Sequence, residues 1–224
     1  AEIKSSRKKS ILAAAATTVM FAAIVMSSTK EKKLDPSPEA NRRTLIRRLY
    51  FDLWGLPPSA AEIDEFVADR RSDAYERLVD RLLASQAYGE RMSVPWLDLA
   101  RFADSDGYHA DVPRSMWQYR DWVIQAFNQD MPYNQFVKAQ IAGDQMGDSR
   151  KYAAGLGFYA LRPDTQEDRV DVTGRAFLGL TTGCAQCHNH KFDPIPTTDY
   201  YALLGVFTST KDGQYPLAPA DAVK

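Results

Sequence analysis

The five residues Cys184-Ala185-Gln186-Cys187-His188 constrain this chain more than any other stretch, because they contain both of its cysteines and one of its three histidines. A C-x-x-C-H run is the signature of covalent haem c attachment. Two thiols on one helical turn reach the two vinyl groups of one porphyrin edge, and the adjacent imidazole then faces the iron. The sequence therefore predicts that Cys184 and Cys187 hold one covalent haem c and that His188 is the proximal iron ligand.

Two other kinds of site also use a C-x-x-C pair. The thiols can form a redox-active disulfide, and four potential zinc ligands lie within seven residues: Cys184, Cys187, His188 and His190. Zinc sites usually take their second ligand pair from a distant segment, because four tetrahedral ligands on one short turn strain the backbone. The spacing favours haem, with the thiol pair and zinc as alternatives.

The second axial ligand of the iron is expected from a position before the motif, since residues 189–224 contain no methionine. The first candidate for this distal ligand is His109, which lies in a polar stretch with the character of a loop. The alternatives are three methionines: Met116, Met131 and Met146. A bound distal ligand favours electron transfer, whereas an open iron position would admit peroxide or diatomic ligands.

The residues after the motif suggest how the proximal ring is held. The second ring nitrogen of His188 needs an acceptor, and Asp193-Pro194-Ile195-Pro196 could present a backbone carbonyl or form an ordinary proline-rich turn. His190 is too close to His188 to reach the opposite porphyrin face, so we expect it to contact a haem propionate or to lie at the surface.

Residues 11–28 form an uncharged, largely apolar segment. As a helix its eighteen residues would span about 27 Å, enough to cross a bilayer core. The sequence thus predicts a transmembrane anchor at 11–28 between a cytoplasmic N-terminus (1–10) and a linker (29–40), with a signal-peptide core or a buried helix as alternatives. Because bacterial haem c is ligated outside the cytoplasmic membrane, the rest of the chain is expected on the periplasmic side of the inner membrane.

Helical periodicity dominates the remaining chain. Apolar residues recur at spacings of three and four from Leu45 to Leu53, and Ser59 with Glu62 matches a capping box. No alternating strand pattern of useful length occurs. The predicted fold is all-α: an N-terminal transmembrane helix, then a multi-helix, loop-rich haem c domain over residues 41–210 and a C-terminal tail over 211–224.

Four stretches carry a resemblance to a known family. They are Gly179–Ile195 around the motif, Arg43–Pro58, Trp96–Ser105 and Tyr119–Ile124. Together they resemble a planctomycete-type domain of unknown function that occurs in large, exported, cytochrome-containing proteins. The resemblance covers residues 36–210 and implies a haem-bearing, exported chain.

These observations predict a membrane-anchored monohaem cytochrome c that carries electrons rather than catalysing a reaction. Its partner would be a membrane-embedded electron-transfer complex, either a photosynthetic reaction centre or a respiratory complex. The net charge of −1 argues against nucleic acid as a partner. One alternative is a structural docking subunit with a relay haem. Another is a haem peroxidase or other enzyme, in which Asp104 and Asp106 next to His109 would supply acid/base or metal-binding groups.

Overall fold

The computed structural model describes residues 37–105, 111–161 and 165–211, together with the single positions 213 and 217. These residues are mostly helical, and within them the only β-type pairing is one isolated bridge between Ser105 and Pro113. They form two compact units. Of the described residues, unit 1 comprises 37–50 and Pro57–Ala74, and unit 2 comprises Phe51–Leu56 and those from Tyr75 onward.

The predicted fold class and localisation require a correction. No helix in the described ranges is both long enough and apolar enough to cross a bilayer. The helix Gln86–Leu99, for instance, has 14 residues and is about 21 Å long, against a hydrocarbon core of about 30 Å. The predicted span at 11–28 itself lies outside the described residues. The finding contradicts the predicted transmembrane helix and the single-pass inner-membrane localisation.

Unit 1 is held together by contacts between two helices, α1 (Arg42–Leu53) and α2 (Ala60–Ala68). The predicted capping box is confirmed: Ser59 Oγ accepts from the Glu62 N–H, and the Glu62 carboxylate accepts from the Ser59 N–H at 2.8 Å. The same carboxylate also accepts from the buried Tyr50 hydroxyl. Arg42 donates to the Phe66 carbonyl and lies 4.1 Å from the centroid of the Phe66 ring, so the two helices share a cation–π contact.

Eight α-helices, of which two have only four residues, follow in the rest of the described chain. The helices are α3 (Ala74–Leu83), α4 (Gln86–Leu99), α5 (Trp117–Asn128), α6 (Tyr133–Ala142), α7 (Ser149–Tyr152), α8 (Gly157–Ala160), α9 (Gln166–Thr173) and α10 (Thr197–Thr208). Pro95 lies inside α4, whose N-cap is Ser85. A π-helical turn (Gly174–Leu178) and a 3-10 turn (Thr182–Gln186) lie between α9 and α10.

The main core of unit 2 is aromatic. Trp96 of α4 meets Phe136 of α6 edge to face at a centroid distance of 4.8 Å, and Trp122 of α5 stacks on the same Phe136 ring at 5.4 Å. Phe158 of α8 is 1% exposed and joins this cluster. Offset and edge-to-face aromatic pairs stabilise a core beyond their buried area, by about 0.5–1.5 kcal/mol each.

A buried polar network crosses this aromatic core. The Trp96 indole N–H donates to Gln140 Oε1 at 2.9 Å and to the Tyr119 hydroxyl oxygen at 3.2 Å. The Tyr119 hydroxyl donates to the same Gln140 oxygen at 2.8 Å, and the Gln140 amide donates to the Phe136 carbonyl at 3.2 Å. Each member of the network therefore has a partner, which is the condition under which polar groups can be buried without a large cost.

We expect Gln140→Leu to lower the free energy of unfolding by about 2 kcal/mol, because the Tyr119 hydroxyl then has no acceptor in a dry core. Urea denaturation measures this loss. The matched change Gln125→Leu, at an exposed position of α5, is expected to stay within about 0.5 kcal/mol of the unchanged protein. Equal losses for the two variants would contradict a stabilising role for the network.

The same network predicts alkaline sensitivity. Burial raises the pKa of Tyr119 well above its usual value of about 10. Because the folded-state pKa of Tyr119 lies above its unfolded-state value of about 10, the neutral phenol stabilises the folded protein fully below pH 10. This stabilisation is lost as the pH rises toward the folded-state pKa. We expect the free energy of unfolding to fall above pH 10 by up to about 1.4 kcal/mol per pH unit from this group. Tyr119→Phe should flatten the fall, whereas Tyr75→Phe, at a residue 39% exposed, should not.

Candidate functional site

The C-x-x-C-H motif lies on a helical turn, as its spacing predicts. The 3-10 turn Thr182–Gln186 contains Cys184 and ends at Cys187. Ala185, between the two cysteines, is completely buried in a second core cluster with Val170, Tyr200 and Phe207. Cys184 and Cys187 are both free thiols and both exposed. Burial of the central alanine thus anchors the turn and leaves the two sulfurs at the surface.

The 3-10 turn Thr182–Gln186 lies so close to the preceding π-helical turn that only glycine fits at position 174. A Cβ atom added at Gly174 would lie 2.7 Å from Thr182 Cγ2 and 3.1 Å from the Leu180 carbonyl oxygen. Thr182 is 6% exposed, and its hydroxyl donates to the Val170 carbonyl at 3.4 Å. The close contact between Gly174 and Thr182 therefore fixes the position of the turn that contains Cys184.

His188 is exposed, and its ring nitrogens have different roles. Nδ1 lies 2.8 Å from the Asn189 carbonyl oxygen. A carbonyl can only accept, so Nδ1 carries the hydrogen and Nε2 has a free lone pair. This is the tautomer that a metal ligand needs. The carbonyl comes from Asn189 rather than from Asp193–Pro196, since the Ile195 carbonyl accepts from the His190 N–H instead.

His190 has a different role. Its side chain is 5% exposed, and its Nδ1 accepts from the backbone N–H groups of Phe192 and Asp193 at 3.3 and 2.9 Å. The Asp193 carboxylate also lies 3.2 Å from Nδ1, and Nε2 lies 3.5 Å from Thr181 Oγ1. Both ring nitrogens therefore have partners within the motif segment, and His190 holds the turn after the motif.

The other predicted ligands are not gathered at the motif. Met116, Met131 and Met146 are partly buried against the main aromatic core, whereas the motif packs on the second cluster. His109 and Asp106 lie outside the described residues, and Asp104 is exposed. In the described ranges no three His, Cys, Asp or Glu side chains are placed to hold a metal ion together. The zinc alternative is therefore not assembled here.

Comparison with known proteins agrees with the resemblance seen in the sequence. Residues 21–212 match the family PSCyt2, described as "Protein of unknown function (DUF1549)". The chain belongs to the PSCyt2 family. No curated protein and no solved structure matches it. Membership confirms the predicted kinship with a planctomycete-type domain of unknown function, over most of the chain and including the motif.

The C-x-x-C-H motif of this PSCyt2 domain lies beside an ion-pair network that the sequence reveals only in part. Asp171 of α9 is held between Arg101, at 3.8 Å, and Arg175, at 2.8 Å, and Arg101 also pairs with Asp168. The Asp171 carboxylate borders Gly183, where an added Cβ would lie 3.5 Å from Oδ1. Asp171 and Arg175 are four positions apart, a spacing at which opposite charges meet on a helix. Arg101 lies 67 and 70 positions before Asp168 and Asp171, so no local pattern could have identified its part in the network.

Tyr200 is a second residue of the site that sequence reasoning missed. It is 2% exposed and packs with Ala185. Burial raises the pKa of Tyr200, and the nearby charges of Glu167, Tyr201, Asp171 and Cys187 raise it further. The phenol therefore stays neutral near the motif, and Tyr201, its neighbour in α10, donates from its hydroxyl to the Gln186 carbonyl at 3.1 Å.

The residues present fit a covalent haem c. The two thiols are exposed and free, His188 is exposed, and its Nδ1 contact with the Asn189 carbonyl leaves Nε2 available.

We expect Gly174→Ala to lower the free energy of unfolding by about 1–3 kcal/mol, because the new methyl group overlaps Thr182 in a packed site. The backbone at Gly174 is right-handed helical, so the cost is steric rather than conformational. The control is Gly205→Ala in α10, where an added Cβ meets nothing within 4 Å; it should be neutral or stabilising. In a double-mutant cycle by urea denaturation, Thr182→Ala should recover part of the loss, and strict additivity would contradict the proposed overlap.

Proposed function

We propose that this domain carries one covalent haem c and transfers single electrons to a redox partner protein. The observation that carries the proposal is the state of His188. Its Nδ1–H is bound to the Asn189 carbonyl at 2.8 Å, which leaves Nε2 available in the residue that directly follows Cys187, and both thiols of the motif are free and exposed. A histidine held in this tautomer next to such a pair is arranged as a proximal iron ligand.

Each residue of the motif has a defined task in this proposal. The Cys184 and Cys187 thiols would each hold the haem by adding across one vinyl group: a carbon–sulfur bond forms, the thiol hydrogen passes to the second vinyl carbon, and no oxidant or reductant is consumed. His188 would hold the iron through Nε2, with its ring fixed by the Asn189 carbonyl. When bound, haem supplies reversible one-electron chemistry.

Contacts around the motif support electron transfer over catalysis. The thiols and His188 stand at the surface, so a cofactor bound there would have an exposed edge through which electrons can pass to a partner. The enzymatic alternative would use the carboxylates of Asp104 and Asp106. Asp104 is exposed, and its backbone carbonyl accepts a hydrogen bond from the Arg114 N–H. A photosynthetic or respiratory complex as the partner stays a prediction from the sequence.

The test is expression of the chain together with a cytochrome c maturation system. The purified protein should stain for haem after denaturing electrophoresis at about 25 kDa, its mass being 25.2 kDa, and its mass should rise by one haem. Cys184→Ser combined with Cys187→Ser should abolish the stain. His188→Ala should change the absorption spectrum of any haem that attaches, whereas His190→Asn, which retains an acceptor for the Phe192 and Asp193 N–H groups, should not.

Two outcomes would contradict the proposal in different ways. A colourless protein whose thiols close reversibly to a disulfide would indicate thiol redox chemistry at the same motif. A haem protein that binds carbon monoxide or cyanide tightly would indicate a sensor or a peroxidase-like enzyme rather than an electron carrier.

A further inference from the structure

A cavity of about 350 Å³ lies between α4, α5 and α6, within unit 2. Five aromatic residues line it: Tyr88, Trp96, Phe127, Tyr133 and Phe136. The cavity is open to solvent, since Asp130 and Tyr133 in its lining are exposed. A concave, mainly apolar space of this volume falls within the range of small-ligand sites. The cavity is lined by none of the residues of the C-x-x-C-H motif.

The aromatic walls offer ring surface rather than hydrogen-bonding groups. The Trp96 indole N–H is directed to Gln140 and Tyr119, and the Tyr133 hydroxyl donates to the Phe177 carbonyl at 3.0 Å. The Phe136 ring contacts both the Trp96 ring, at a centroid distance of 4.8 Å, and the Phe127 ring, at 5.7 Å. The Trp96 and Phe136 wall is therefore fixed by the core itself, before any ligand arrives.

One charged side chain also lines the cavity. Asp130 is exposed, and its carboxylate makes no hydrogen bond or ion pair with any other described residue. Its backbone is left-handed, with φ 50, and the turn is held by N–H donation from Asp130 to the Phe127 carbonyl and from Met131 to the Ala126 carbonyl. Left-handed backbone is a common way for a helix to end, and aspartate adopts it more readily than most residues. The turn thus holds an uncompensated negative charge beside the aromatic rings.

We propose that this cavity binds a small organic cation, an ammonium group attached to an aromatic or aliphatic body. Aromatic ring faces attract cations through their quadrupole, and the Asp130 carboxylate attracts the same charge. Transfer of the ligand's apolar body from water into the aromatic-lined cavity lowers the free energy of binding. An anionic ligand of equal size is repelled by Asp130, and a neutral one loses both electrostatic contributions. The site is independent of haem attachment.

Three probes that share one phenyl-alkyl body test this proposal: phenethylammonium, the neutral 2-phenylethanol and the anion 3-phenylpropanoate. Titration calorimetry with the full chain at pH 7 measures their affinities. We expect phenethylammonium to bind about fivefold to tenfold more tightly than 2-phenylethanol, and 3-phenylpropanoate to bind most weakly. Equal affinity for the ammonium and the alcohol would overturn the proposal.

Two variants locate the site. Asp130→Asn removes the charge but keeps a residue that tolerates left-handed backbone. It should weaken phenethylammonium about threefold to fivefold and leave 2-phenylethanol unchanged, whereas Asp52→Asn, at an exposed position of α1, should change neither. Met131→Trp fills the cavity and should abolish binding of both. Thermal unfolding verifies that each variant is folded, and should Met131→Trp not fold, an unchanged ammonium preference in Asp130→Asn would by itself refute the assignment.

Discussion

The hydrogen-bond network of Trp96, Tyr119 and Gln140 is the interaction on which the described part of unit 2 most depends. Its members come from α4, α5 and α6, and they meet inside an aromatic core where an unpaired polar group would be costly. Apolar packing alone tolerates sliding of one helix along another. The shared acceptor at Gln140 opposes such sliding, because Trp96 and Tyr119 can both donate to it only when the three helices are in one alignment. The network therefore specifies the arrangement of the three helices as well as stabilising it.

Aromatic contacts connect this core to the segment that carries the motif. Phe177, in the π-helical turn, packs 5.8 Å from Trp96 and 4.7 Å from Phe158 between ring centroids. Tyr159 packs against both core clusters, at 5.5 Å from Phe207, and its hydroxyl bonds Thr173 at 2.9 Å. Since Thr173 donates its own hydrogen to the Arg169 carbonyl, the Tyr159 hydroxyl is the donor in that pair. The motif is thus held by side chains that belong to the folded core rather than by its own short turn.

The structure of the C-x-x-C-H motif depends both on its local sequence and on tertiary contacts. The spacing of Cys184 and Cys187 already requires a helical turn, and the structure has one. The turn's anchor, however, is the burial of Ala185 against Tyr200 and Val170, and the tautomer of His188 is set by the Asn189 carbonyl. His190, which resembles a possible ligand in the sequence, accepts two backbone N–H groups and is occupied within its own turn.

The sequence by itself determined what depends on neighbours a few positions apart. These features include the capping box of Ser59 and Glu62, the helical spacing of α1, and the kinship carried by the stretch around Cys184–His188. Only the tertiary structure decided what depends on residues distant in the chain. It placed Met116 and Met146 against the aromatic core, it required a glycine at position 174 because Thr182 lies there, and it contained no described helix able to span a bilayer. The reason is physical: helix periodicity and capping act over one or two turns, whereas burial, steric exclusion and ion pairing depend on which distant segments come together.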